Sequence, residues 1–323
     1  MREAVFLRQN QPRWQQYETQ PPASPDELAQ RFIELTDDLA YARTFYPDSA
    51  TTAYLNALTG KLHQALYKNK KEDSGRLAAF WLHELPLVVV RHRRVLLGTL
   101  VFFLVCTAIG ALSAALDESF VRVVLGDAYV NQTLANIEKG DPMAVYKGQD
   151  ETLMFLAITL NNVKVSLYAF AGGISGGLFT VYLAFRNAVM LGSFQYFFHQ
   201  KGVLLPSVLT IWIHGTLEIS AIVLASGAGL IMAQSLLFPG TYARRDSLRR
   251  GARDGMKLVL GLVPVFVLAG FLEGFVTRHT EMPLLASVAI IGGSAAFILG
   301  YFVVYPWWLY RRLPAREAEP AGY

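Results

Sequence analysis

The chain has 323 residues, of which 53% are hydrophobic and only 17% are charged. Soluble domains are less apolar and more highly charged than this. The composition excludes wholesale disorder and argues against a nucleic-acid-binding protein. The single cysteine, Cys106, lies within an apolar block, so an intrachain disulfide is excluded. The apolar residues fall in blocks of the length that spans a bilayer, about 20 residues. The sequence therefore predicts an all-α, polytopic membrane protein.

The N-terminal region, 1–72, is predicted to be a small helical domain outside the membrane. A serine cap and a following proline begin an amphipathic helix at Ser24, and a second stripe of apolar residues follows Pro47. We expect no cleavable signal peptide, because no short apolar segment opens the chain. Residues 73–94 combine aromatic side chains with the basic cluster Arg91-His92-Arg93-Arg94. This combination is typical of an elbow helix that lies at a membrane interface.

About six apolar segments follow and are predicted to form a transmembrane helical bundle over 95–305. The predicted spans are about 95–116, 153–172, 177–198, 208–231, 258–277 and 284–305. A loop, 117–152, separates the first two spans, and a tail, 306–323, follows the last. Twelve Lys and Arg residues lie near the spans on one side and five on the other. The positive-inside rule then places both termini in the cytoplasm of a bacterial inner membrane and the loop 117–152 outside.

Polar side chains within the predicted spans are the candidate functional residues, because a charge at mid-bilayer costs at least ~2.5–3.5 kcal/mol. They are Asn161, Asn162, Lys164, Arg186, Asn187, His214, Glu218 and Glu273. The helical rise places most of them near the bilayer midplane, but Glu273 only roughly 6 Å from the outer end of its span, where it could reach water. His214 and Glu218 are four residues apart and share a helix face. Glu218 is the expected counter-charge for Arg186 or Lys164.

Two interpretations of these polar residues stay open. They could line a proton, ion or substrate path, or they could fix the bundle through interhelical hydrogen bonds and a salt bridge. Lys164 and Arg186 could instead lie nearer an interface and extend their charged ends to it. We expect no metal, because His214 and Glu218 supply two ligands where at least three are usual. No nucleophile motif indicates an enzyme, and no cofactor is expected.

Glycines at short spacings are predicted to pack helices closely, within one chain or between two copies of it. They are Gly172, Gly173, Gly176, Gly177, Gly192, Gly215, Gly227 and Gly229, and similar spacings recur at Gly270 with Gly274 and at Gly292, Gly293 and Gly300. We therefore expect a homo-oligomer, most simply a dimer, in the lipid bilayer. The segment 171–177 could alternatively form a hinge or broken helix of the kind that transporters place around a binding site.

The run His214-Gly215-Thr216-Leu217-Glu218-Ile219-Ser220-Ala221-Ile222 resembles the characteristic helix of the stage II sporulation protein M family. Further similarities are Asn161-Asn162, Gly172-Gly173-Ile174, Asn187 with Gly192, and Glu273-Gly274-Phe275. The N-terminal helices are similar to an extension common among bacterial members. In spore formers the family member anchors and localises peptidoglycan-remodelling enzymes. The resemblance implies a non-enzymatic membrane scaffold that organises unidentified membrane or envelope proteins. The alternative is a permease or channel that moves ions, protons or a lipid-like substrate.

Overall fold

The chain divides into two compact units, Met1–Arg76 and Leu77–Tyr323. The computed structural model describes residues 2–67, 75–144, 150–279 and 282–312. Within those ranges all regular structure is helical and no residue lies in a strand. This confirms the predicted all-α class. Most of the predicted tail, 313–323, lies outside the described residues.

The first unit is built from helices around a small aromatic and aliphatic core. Its helices are α1 (Glu3–Thr19), α2 (Pro25–Phe45) and α3 (Ala50–Tyr67). Ser24 begins α2 as the sequence predicts, since its hydroxyl accepts a hydrogen bond from the Glu27 backbone N–H at 3.1 Å. Trp14 and Leu35 are fully buried. The Trp14 indole donates a hydrogen bond of 2.7 Å to Asp38, so the polar edge of the buried ring is satisfied.

The second unit is the membrane bundle. Its helices are α4 (Arg76–Ala79, with its first residue in the first unit), α5 (Leu85–Arg91), α6 (Arg93–Leu116), α7 (Glu118–Leu125), α8 (Asp127–Glu138), α9 (Glu151–Ala171), α10 (Leu178–Gln200), α11 (Leu204–Leu237), α12 (Arg244–Phe271), α13 (Leu284–Leu299) and α14 (Tyr305–Arg312). Turns of π-helix continue α4 into α5 (Phe80–Glu84), extend α12 (Leu272–Val276), and join α13 to α14 (Gly300–Val304).

Helices long and apolar enough to cross a membrane account for five of the predicted spans. They are Arg93–Leu116, Glu151–Ser175, Leu204–Leu237, Arg244–Val276 and Leu284–Arg312. The remaining predicted span, 177–198, forms α10, which falls outside that set because Arg186, Asn187 and Gln195 make it more polar. It nevertheless packs along α6 and α11. A polytopic helical bundle is therefore the architecture of this unit.

The two ends of the bundle differ in chemistry, and we name them by it. The loop end carries α7 and α8, and the basic end carries α5 and the start of α12. At the basic end, Arg91 donates to the Asp254 carboxylate at 3.1 Å, and the His92 Nε2 lies 2.9 Å from the same group. Lys257 pairs with Glu84 at 2.6 Å. These contacts fasten the elbow formed by α4 and α5 to α12.

Helix α11 is the centre of the bundle and contacts α6, α9, α10, α12 and α13. Glycines permit several of these close approaches. A methyl group added at Gly192 would lie 1.9 Å from the Thr107 carbonyl oxygen, and one at Gly229 would lie 2.2 Å from that of Ala169. Among the other glycines predicted to pack helices, Gly172, Gly173, Gly227 and Gly270 are also close sites, and Gly110, Gly251, Gly255 and Gly261 are close sites that the sequence did not single out. At these positions the glycines let helices of the same chain pack closely, as predicted for those that the sequence singled out.

Three of the predicted packing glycines behave differently. Gly176 and Gly177 have φ values of 68° and 88°, the left-handed region that favours glycine, and they reverse the chain between α9 and α10. They form the connection between the second and third predicted spans, and the alternative of a hinge around a binding site at segment 171–177 stays a prediction. A methyl group at Gly215 would approach nothing closer than 3.8 Å, and its nearest neighbours belong to its own helix. The packing role predicted for Gly215 is therefore wrong.

Candidate functional site

Three of the predicted polar residues meet between α11 and α12. We call His214, Glu218 and Glu273 the His214 cluster. One potential ligand atom from each lies within 4.8 Å of the other two. Helix α11 supplies His214 and Glu218 because residues four apart stand one turn apart on the same face. Glu273 comes from α12, and its carboxylate oxygen lies 3.8 Å from the His214 Nε2.

A π-helical turn positions the residues that α12 contributes. The Thr277 backbone N–H donates to the Leu272 carbonyl at 2.8 Å, a bond that spans five residues instead of four. Such single wide turns inside α-helices occur frequently at functional sites. Gly274, inside the turn, lets α12 approach α9, since a methyl group there would lie 3.1 Å from the Glu151 carbonyl oxygen. Glu273 and Thr277 consequently both face α11.

Hydrogen bonding around Thr277 defines the tautomer of His214. The Thr277 hydroxyl lies 2.9 Å from the His214 Nδ1 and donates to the Leu272 carbonyl at 3.1 Å. A hydroxyl has one proton to give, so its oxygen accepts from Nδ1–H. The Nε2 atom then presents its lone pair towards Glu273. We assign this tautomer from the hydrogen-bond network.

Asn162 of α9 borders the cluster on a third side. The residue is only 4% exposed, and its amide lies beside Glu218. Its Nδ2 atom is nonetheless buried and forms no hydrogen bond of normal geometry. A buried donor without a partner costs about 1–3 kcal/mol. The amide is therefore held against Glu218 in a poorly aligned contact that does not satisfy it fully.

The remaining predicted residues lie elsewhere. Lys164 and Arg186 are exposed on α9 and α10, and no described residue forms an ion pair that joins either of them to Glu218. The predicted salt bridge is therefore wrong, because both cations lie on the outward faces of their helices. The Lys164 ammonium lies 5.6 Å from the ring centre of Tyr168, one turn nearer the basic end. The alternative in which such side chains extend towards an interface stays a prediction.

The two other asparagines also lie away from the cluster. Asn161 is exposed on α9. The Asn187 amide donates to the Leu183 carbonyl of its own helix at 2.8 Å. Among the asparagines predicted from the sequence, Asn162 alone is placed beside Glu218.

A cavity of about 490 Å³ opens at the loop end and reaches the edge of the cluster. Thr277, which bonds His214, lies in its wall beside Ile213. The other lining residues are Gly140, Asp141, Pro142, Met143, Val203, Leu205, Pro206, Leu209, Thr210, His279, Met282 and Ser287. The cluster is thus separated from the cavity by the layer that contains Thr277.

The sequence did not identify two features of this site. Glu273 was expected near water, but it is folded in towards His214, and its side chain is only 14% exposed. Thr277 was not singled out. The signal that could have found it is its spacing of four residues from Glu273, which repeats the spacing of His214 and Glu218.

The arrangement has two chemical capacities. An imidazole lone pair and two carboxylates form a ligand set of the kind that binds divalent metal ions. The same groups could instead carry protons. Either capacity neutralises charge that would otherwise be costly inside a membrane.

A helical membrane bundle with a buried cluster of titratable groups defines an integral membrane protein with an intramembrane polar site. The family model for Stage II sporulation protein M matches residues 99–278, which is more than half of the chain and includes the whole His214 cluster. The chain belongs to this family. A second model, for a domain of unknown function (DUF8413), matches residues 4–68, the helices of the first unit. No curated protein and no solved structure matches the chain.

Proposed function

We propose that this protein is a non-enzymatic membrane scaffold that organises partner proteins of the bacterial cell envelope. Membership of the Stage II sporulation protein M family, over residues 99–278, supports the proposal. The observation that carries it is the division of the chain into a membrane bundle and a separately packed helical unit, Met1–Arg76. A membrane anchor does not need such a folded unit for its own packing. The unit therefore offers a surface for partner proteins.

The surface of the first unit has side chains suited to such contacts. Ile33 is 54% exposed and Phe45 is 57% exposed on α2. Exposed apolar side chains of this size are the kind that protein partners cover. Leu35 and Leu55, in contrast, are fully buried in the core of the unit.

Site-specific photo-cross-linking tests the scaffold. A photoreactive amino acid replaces Ile33 or Phe45 in cells, with Leu35 as the matched buried control. We expect a cross-linked product of the same mass at both exposed positions and none at Leu35. Exposed positions that react only with lipid, or with nothing, would contradict the scaffold.

The proposed location is the inner membrane with both termini in the cytoplasm. Its support is the charge of the two ends of the bundle. Exposed arginines concentrate at the basic end, including Arg91, Arg244 and Arg249. The positive-inside rule assigns that end to the cytoplasm and the loop end, with α7 and α8, to the outside.

Self-association is part of the same proposal, and α13 is the face we assign to it. Methyl groups added at Gly292, Gly293 or Gly300 would meet nothing within 4 Å. Gly292, Ala296 and Gly300 repeat at spacings of four, which lets two helices approach closely in a membrane. A second copy of this chain is the proposed occupant of that face.

A specific observation also favours the alternative, a permease or channel. The loop-end cavity reaches Thr277, which is hydrogen-bonded to the buried His214. A path for protons or ions from that end would therefore meet titratable groups after one layer of side chains. Proteoliposomes test it: Glu218→Gln should abolish proton or cation flux while the protein elutes normally from a sizing column. An absence of flux with the wild-type protein would contradict the permease or channel.

A further inference from the structure

We infer that the His214 cluster is a binding site for one divalent metal ion of the Zn²⁺ or Mn²⁺ class. The inference goes beyond the scaffold role and does not depend on it. Imidazole nitrogen suits Zn²⁺ and related ions, and carboxylate oxygen suits Mn²⁺. His214, Glu218 and Glu273 supply the three protein ligands typical of a site that keeps a further position open.

The separations of the ligand atoms are slightly wider than those around a central ion. Zinc lies about 2.0–2.2 Å from nitrogen and oxygen ligands, so two ligands of a tetrahedral ion stand roughly 3.3–3.6 Å apart. The His214 Nε2 and the Glu273 oxygen are 3.8 Å apart. That distance is too long for a direct hydrogen bond between them. The widest separation within the cluster is at most 4.8 Å, so small side-chain movements would close the site.

The surroundings of His214 match those of a metal-bound histidine. Ligating histidines usually donate their other ring N–H to a nearby oxygen, which orients the ring and fixes the tautomer. Thr277 accepts from Nδ1–H in this way, at 2.9 Å. The Nε2 atom, 3.8 Å from the Glu273 carboxylate, is then the ring nitrogen available to a metal ion. Thr277 is a positioning residue, since it acts on the ion through His214.

A bound cation is one way to balance the charge of the cluster, and protonation of its carboxylates is the other. Two carboxylates lie in the cluster, and no described lysine or arginine forms an ion pair with either of them. Two uncompensated negative charges inside a bilayer are strongly unfavourable. A divalent cation neutralises both at once and leaves the imidazole neutral, as a ligand must be.

Asn162 is a buried amide that borders the cluster. Its side chain is 4% exposed and interacts with the Glu218 carboxylate, but its Nδ2 makes no hydrogen bond of normal geometry with a described residue. Buried polar groups that are poorly satisfied are uncommon and often mark the place of an ion or water. A metal-bound water at the open position would supply an acceptor for this N–H.

The test measures metal content in the full-length protein, purified in detergent with an affinity tag that contains no histidine. After a chelator has removed bound metal, the protein is loaded with Zn²⁺ or Mn²⁺, and metal and protein are quantified together. We expect close to one ion per chain for the wild type. Glu218→Gln and Glu273→Gln, which keep side-chain size, should each weaken binding at least tenfold, and Thr277→Val should weaken it about 10–100-fold.

His199→Asn is the matched control, because His199 is exposed at the end of α10 and lies outside the cluster. It should keep the wild-type stoichiometry. If it removes the ion while Glu218→Gln does not, the metal belongs to the surface and the inference is wrong. A wild type that binds neither Zn²⁺ nor Mn²⁺ also overturns it, and the carboxylates are then protonated.

A second measurement, made on the wild type alone, tests the metal site in case the variants fail to fold. Co²⁺ replaces Zn²⁺ in the wild type, and its visible absorption reports the coordinating atoms. An intense band of four- or five-coordinate Co²⁺, displaced stoichiometrically by Zn²⁺, is expected. Co²⁺ that gives only the weak spectrum of the hydrated ion contradicts the site. The metal measurements do not depend on whether partner proteins are captured. The scaffold proposal and the metal site can therefore be refuted independently.

Discussion

The His214 imidazole and the Thr277 hydroxyl lie 2.9 Å apart, although 63 residues separate them in the chain. The contact joins the central helix α11 to the π-helical turn that ends α12. It orients His214 towards Glu273 and separates the cluster from the loop-end cavity, whose wall includes Thr277. One hydroxyl thus has a structural role between two helices and an orienting role within the polar site.

Thr277→Val tests that contact, because valine keeps the shape of threonine without the hydroxyl. We expect a loss of about 1–3 kcal/mol of stability, the usual cost of leaving a buried polar group without its partner. The measurement is thermal unfolding in detergent. Thr216→Val is the control: the Thr216 hydroxyl bonds only the Trp212 carbonyl of its own helix, at 2.7 Å. Equal losses in the two variants would show that the contact between α11 and α12 adds nothing.

The sequence predicted the fold more fully than the site. Long apolar blocks separated by charged segments specify a membrane bundle, because the bilayer sets the length of each span. The pairing of His214 with Glu218 followed from a spacing of four residues on one helix. The sequence could not predict which faces of α9 and α12 turn towards α11.

Glu273 shows why the rest could not be predicted. Its position along α12 indicated an exposed carboxylate, yet a π turn and the close approach at Gly274 direct it inwards. The spacing of Gly270 and Gly274 predicted a close helix approach, but the π turn that directs Glu273 inwards has no recognisable sequence pattern. The error for Arg186 is of the same kind, since its depth was estimated from the helical rise but the face that it occupies was unknown.

Glycine-to-alanine substitutions test whether a given glycine is needed for close packing between helices. Gly192→Ala should destabilise the bundle by about 1–3 kcal/mol, because its methyl group would meet the Thr107 backbone at 1.9 Å and α6 would have to move. Gly215→Ala is the control and should be neutral or stabilising, since alanine is the better helix former and the nearest atoms are 3.8 Å away. Thermal unfolding in detergent measures both. A Gly215→Ala loss equal to that of Gly192→Ala would refute the packing argument.

The proposed orientation predicts which positions react with a membrane-impermeant maleimide. Cys106 is the only cysteine and is buried, so Cys106→Ser provides a cysteine-free background. In spheroplasts, a cysteine at Asp127 of the loop end should be labelled, whereas one at Arg249 of the basic end should react only after permeabilisation. A cysteine at Ile33 should behave like the one at Arg249. The reverse labelling pattern would show that the topology is the opposite of the proposed one.

The first unit should lose stability in acid through Glu34. The Tyr17 hydroxyl donates to the Glu34 carboxylate at 2.6 Å, and this bond, followed by one from Gln30, holds the pKa of Glu34 below its ordinary value of 4.5. A lowered pKa in the folded state contributes stability above that ordinary value. The contribution disappears as the pH falls through the lower, folded pKa.

Hydrogen exchange of peptides from α1 and α2 in the full chain, corrected for the intrinsic effect of pH, measures this loss of protection. Tyr17→Phe removes the donor, so its protection should depend less on pH in the same interval. Thr36→Val is the comparison, since the Thr36 hydroxyl donates to the Phe32 carbonyl of its own helix at 2.7 Å and not to a carboxylate. Identical pH profiles for wild type and Tyr17→Phe would contradict the role of Glu34.

The dimer proposed through α13 can be tested without affecting the core of the bundle. Gly292 and Gly293 are exposed, and nothing lies within 4 Å of a methyl group placed at either. Gly292→Leu should therefore fold normally but block the close approach of two α13 helices, and native mass in detergent should shift from dimer to monomer. Val101→Leu, on an exposed face of α6, is the control for added bulk and should remain dimeric. A wild type that is monomeric across a range of detergent concentrations, or a Gly292→Leu variant that stays dimeric, would exclude α13 as the interface.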